Sequence, residues 1–172
     1  MNKMIKSALA MTTFAMLNTT AQAAPQEWQG YYKGQCEVIS PARGTLYQFP
    51  MSLEIGAAVD NKADWIIVYG EGERKSVRNY SLLTLNENLG HYAVDENNGV
   101  VIDQYLLKDE FLSLFEVGST KLQASYKLDS NGSIDVNINT FSVDPIRESK
   151  VGQFVVSSYQ GNTQQRCKLF KW

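Results

Sequence analysis

Between Asn86 and Val143 turn residues recur at short intervals, and the stretches between them have the length of β-strands, which confines this part of the chain to an antiparallel meander. Asn86–Gly90 leads into HYAVD from His91, Asn97-Asn98-Gly99 into VVIDQYLL from Val100, and Lys108-Asp109-Glu110 into FLSLFEV from Phe111. Gly118-Ser119 and Asp129–Gly132 then introduce KLQASYKL and SIDVNINTFSV. Asn98-Gly99 is the strongest hairpin signal, because both residues tolerate the positive φ that tight hairpin turns demand. In the last two stretches Leu122, Ala124, Tyr126 and Leu128 share one face, as do Ile134, Val136 and Ile138, with polar residues opposite. One face is expected to be buried and the other wet.

Upstream, residues 28–39 (WQGYYKGQCEVI) form the first strand expected, since Trp28, Tyr31, Tyr32, Val38 and Ile39 favour half-buried pleated positions. Residues 45–55, 64–69 and 74–85 continue the pattern, and Pro50 marks an edge, a bulge or a strand end because it lacks a ladder donor. Residues 144–150 (DPIRESK) read as a polar connection able to hold a helical turn, before GQFVVSSY and the last strand QRCKLFKW. With about ten strands joined by short turns, the expected fold is an all-β, antiparallel up-and-down barrel of about 8–10 strands; a Greek-key sandwich would need longer crossovers.

Residues 1–23 have the three parts of a secretory signal: Lys3 and Lys6, an apolar run from Ala8, and the small-residue ending Ala21-Gln22-Ala23. The apolar run is shorter than a membrane span needs. Cleavage after Ala23 would leave residues 24–172 as a single domain, exported to the periplasm or secreted. Of the 16 Lys and Arg in the chain, 14 would then face 18 Asp and Glu, a balance that argues against nucleic acid as a partner. Such a compartment is oxidising, so Cys36 and Cys167, the two cysteines of the chain, are expected to form a disulfide that joins the first strand to the last.

A chain of this length with an aromatic-glycine first strand around Trp28 and Gly30, a run of hairpins and a basic-aromatic last strand resembles the calycin superfamily, and within it small bacterial lipocalin-like proteins. The resemblance implies a barrel with one closed end and a cavity. It also implies that Arg166, near the end of the last strand, packs across the Trp28 ring as a cation–π contact.

Candidate site residues follow from chemistry. His91 is the single histidine, and a subgroup of calycin-like barrels holds haem through one His; the competing reading is a partly exposed residue at a strand start. The acidic residues fall mostly in turns, and the serines have no nucleophile elbow, so no catalytic, cofactor or metal site is expected. Tyr80, Tyr92, Tyr105 and Tyr126 lie on four of the expected strands, where inward-facing tyrosines would supply flat apolar walls with polar tips. Arg78 shares a face with Tyr80 and would bind an acidic head group if that face is the lumen; otherwise it is a solvated surface arginine.

These residues point to a non-enzymatic binding protein carrying a small, mostly apolar ligand, a lipid or similar, in the barrel. The alternative is an inhibitor or interaction module with a fully packed barrel and a protein partner. A cavity too small for a fatty acid would favour the second, and a roomy apolar cavity the first.

Overall fold

The computed structural model describes residues 25–172; the expected signal sequence, residues 1–23, lies outside them. Among the described residues the strands are β1 (Gly30–Ser40), β2 (Gly44–Ile55), β3 (Lys62–Tyr69), β4 (Ser76–Asn86), β5 (His91–Asp95), β6 (Val101–Leu107), β7 (Glu110–Val117), β8 (Thr120–Leu128), β9 (Ile134–Val151) and β10 (Phe154–Lys171). Each pairs antiparallel with its sequence neighbours, and β10 returns to β1 to close a ten-stranded barrel. Closure leaves the body of the sheet without free edges, which satisfies backbone groups that an open sheet would expose.

The seam is the pairing of β1 with β10, from Tyr32 opposite Lys171 to Ile39 opposite Gln164. Cys36 lies directly opposite Cys167 within it, and the two are joined by a disulfide. Both sulfurs point inward and sit 3.5–3.6 Å from the Met51 sulfur. Two positions from Cys36, the strands approach so closely that a Cβ built on Gly34 would lie 1.7 Å from the Lys168 carbonyl oxygen. Only glycine fits there.

Pro50 disturbs no ladder. Its carbonyl accepts from the Gly70 N–H at 2.8 Å, so its nitrogen also faces β3, just past the last pair, Met51 with Tyr69. The turn between β5 and β6 is anchored to β4 instead of standing free: Asn97, at φ 57°, donates through Nδ2 to the Asn79 carbonyl at 2.8 Å.

The end near the N-terminus is closed by side chains. A short 3₁₀ turn (Gln26–Trp28) places Trp28 beneath the barrel, and the Tyr32 hydroxyl donates to the Trp28 carbonyl at 2.9 Å. Phe111 is the hub of this layer, with ring centroids 4.7 Å from Trp28, 5.2 Å from Tyr92 and 5.9 Å from Trp65, all near edge-to-face. That geometry lets positive ring edges meet negative faces and adds to the area that each ring buries.

Two expectations are corrected. Residues 144–150 are not a connection with a helical turn; they continue β9, and pair with β10 from Pro145 opposite Tyr159 to Val151 opposite Phe154. Pairing of β9 with β8 stops at Ser142 opposite Thr120, and β1 leaves β10 at Gln164. The outer part of this hairpin is therefore a two-stranded arm beyond the barrel wall, with Ile146, Val151, Phe154, Val155 and Val156 exposed. Arg166 also does not cover Trp28. Its neighbour Cys167 faces the lumen, so the alternation of the strand sends Arg166 outward, opposite Glu37, where Nε donates to Gln164 Oε1 at 2.6 Å.

Candidate functional site

Strand register decides which candidates reach the lumen. Tyr80 pairs with Trp65, Tyr126 with Phe111, and Gln104 with Tyr92, so all three point into the barrel. Together with Tyr69, Glu96, Ser113 and apolar residues of β6–β9, they line an internal cavity of about 150 Å³ above the packed layer. This is well below the roughly 300–1,000 Å³ of a drug-sized ligand pocket and comparable to cavities of about 150 Å³ that hold benzene.

Three tyrosine hydroxyls converge here. Burial pushes the Tyr69 phenol up to about 12, helped by nearby Tyr80 and opposed by Arg78. Tyr126 is raised well above its ordinary value, chiefly by burial and then by Tyr69 and Tyr80, while a hydrogen bond from the Trp65 indole N–H works against the shift. Burial also raises Tyr80, which donates to the Glu96 carboxylate. All three stay neutral phenols at physiological pH and can donate or accept.

Gln104 lines the cavity as well, a polar residue that an aromatic pattern in the sequence does not reveal. It is 2% exposed, its Oε1 accepts from the Ser113 hydroxyl at 3.4 Å, and its Nε2 is buried without a hydrogen-bond partner among the described residues. A buried donor left unpaired costs about 1–3 kcal/mol, so the fold carries this group at a penalty that a ligand acceptor would remove. The alternation of VIDQYLL contains the signal: Gln104 shares its face with Ile102 and Leu106, a polar residue inside an apolar row.

The same parity places Tyr105 outside, where it is 45% exposed and its ring stacks on His91 at 4.8 Å. His91 Nε2 lies 2.6 Å from Asp103 Oδ1 on that outer face. Neither side chain reaches the lumen, so Tyr105 is not a cavity residue and His91 does not present a ligand to one. Tyr92 is inward but belongs to the packed layer against Phe111. Arg78 stands on the lumen face, opposite Ile67, and is exposed at the rim far from Trp28.

At that rim a shallow depression of about 620 Å³ is lined by Tyr47, Phe49, Tyr69, Arg74 and Gln165, among others. Tyr47, Phe49 and Tyr69 form a ladder of rings 5.9 and 6.0 Å apart, and Tyr69 is shared with the internal cavity. The described residues contain no cluster of three or more His, Cys, Asp or Glu able to hold a metal ion. No helix among them is long and apolar enough to cross a membrane. No family model and no curated protein matches the chain.

Proposed function

We propose that this is an exported, non-enzymatic binding protein that holds a small, mostly apolar molecule in the upper half of its barrel. The observation that carries the reading is the pairing of a 150 Å³ cavity with aromatic walls and a buried, unpartnered donor at Gln104. Burial of a ring against Trp65, Tyr80 and Tyr126 would supply affinity, and the amide orientation. At about 150 Å³ the cavity does not hold a fatty acid, which weighs against a lipid carrier and towards the interaction module described below; the ligand proposed here is therefore a molecule of about one ring. Export rests on the leader-like residues 1–23, with which a disulfide is compatible.

Native mass spectrometry of the protein purified from its own exported fraction, followed by denaturing extraction, tests this reading. A co-purifying compound of one-ring size, lost on Tyr126→Ala, is the expected result. A protein that is reproducibly free of such compounds, and takes up neither toluene nor indole at millimolar concentration, would overturn it.

A second reading is favoured by the β9–β10 arm, whose apolar residues are exposed and whose outer strands have unpaired edges. On that reading the protein is an interaction module, and Phe154→Ser with Val156→Ser would abolish capture of its partner without altering the barrel.

A further inference from the structure

The lining chemistry narrows the ligand class further, on the premise that the cavity binds a small molecule as proposed above. Glu96 is the one charged side chain in the lining, and Arg78 stands outside it at the rim. A carboxylate ligand would be stripped of water beside Glu96, with no cation in the lining to compensate. An ammonium group at depth would meet Gln104 Nε2, itself a donor. Purely apolar molecules would leave Nε2 unpaired. Ser113 donates to Gln104 Oε1, which leaves Nε2 as the unpaired donor of this lining residue; Nε2 has almost no accessible surface, so a ligand oxygen meets it once the amide turns towards the cavity.

We infer that the cavity takes a neutral, ring-sized molecule bearing one acceptor oxygen, a ketone, aldehyde or amide carbonyl, seated with that oxygen on Gln104 Nε2 and its ring packed against the cavity side of the Trp65–Tyr126 pair. The Trp65 and Tyr126 rings, 5.1 Å apart and nearly perpendicular, give the ring one face and one edge to pack against. Phe115 and Leu122 complete the apolar side.

Titration calorimetry at neutral pH with toluene, acetophenone, benzoate and benzylamine, the last present as its ammonium ion, tests the inference on the purified protein. Acetophenone should bind about tenfold more tightly than toluene, with benzoate and benzylammonium weaker than either. In Gln104→Leu, which keeps the volume and removes the donor, the acetophenone advantage should fall to about onefold while toluene binding persists. The ratio in the unchanged protein decides the matter even if the variant does not fold. Equal binding of toluene and acetophenone, or benzoate or benzylammonium as the tightest probe, would overturn the inference and leave the cavity as a binding site. Failure of toluene and acetophenone alike would overturn both.

Discussion

Reducing the Cys36–Cys167 disulfide isolates how much of the barrel's stability comes from covalent closure of its seam. The bond spans 131 positions in sequence, so in the chain-entropy model it removes about 5 kcal/mol of disorder from the unfolded state. Both cysteines face the lumen, 2% and 5% exposed, beside Met51. Replacing them with Ala would thus add a packing loss to the loss of connectivity, whereas reduction in the presence of a mild thiol-free reductant keeps both sulfurs in place. A domain of this size loses roughly 2–4 °C of melting temperature per kcal/mol, so reduction should lower Tm by about 10–20 °C. The double Cys→Ala variant should fall further. Urea unfolding followed by tryptophan fluorescence should show the same loss, with a larger dependence on denaturant because the unlinked chain expands more. A reduced protein that melts within about 3 °C of the oxidised one, with free thiols verified by alkylation, would refute the reasoning: the seam would then hold by its backbone ladder and packing alone.

Three further outcomes follow from the same geometry. Gly34→Ala places a methyl group against the Lys168 carbonyl and should cost about 3 kcal/mol or prevent folding, whereas Gly161→Ala, with no heavy atom within 4 Å of the added Cβ, should change the melting temperature little. Phe111→Ala removes the ring on which Trp28, Trp65 and Tyr92 converge and should cost about 3–5 kcal/mol, measured by urea unfolding. The buried phenols set an alkaline limit: Tyr69 is neutral up to about 12 in the folded barrel but ionises near 10 in the unfolded chain, so the stability it contributes is whole below about pH 10 and declines as pH rises towards 12. Tyrosinate absorbance should accordingly show a late-titrating fraction that collapses to the ordinary range on unfolding, and Tyr69→Phe should reduce the alkaline loss.

Much of the site was already written in local alternation. Val101–Leu107 places Ile102, Gln104 and Leu106 on one face and Asp103 and Tyr105 on the other; reading it for aromatics selected Tyr105, while reading it for a polar residue among apolar ones selects Gln104. The same parity bears on Arg166: a disulfide that faces the lumen at Cys167 forces the preceding residue outward, away from Trp28. Residues 144–150 were misread because their composition is that of a solvated loop, and an arm with both faces in water imposes no apolar alternation.

Local sequence specifies the antiparallel meander, because turn chemistry and period-two patterning are properties of single strands, and a cysteine in the first strand and another in the last anticipate the closed barrel. Local sequence also determines that some tyrosines face inward. What emerges only from the folded barrel is that the Trp28 end is filled by rings while about 150 Å³ remains at the level of Tyr80 and Gln104, and that Arg78 stands at the rim. Those facts depend on the stagger between strands distant in sequence. Period-two patterning fixes the face that a side chain takes but not its height along the barrel, and height separates a packed aromatic such as Tyr92 from a cavity wall such as Tyr126.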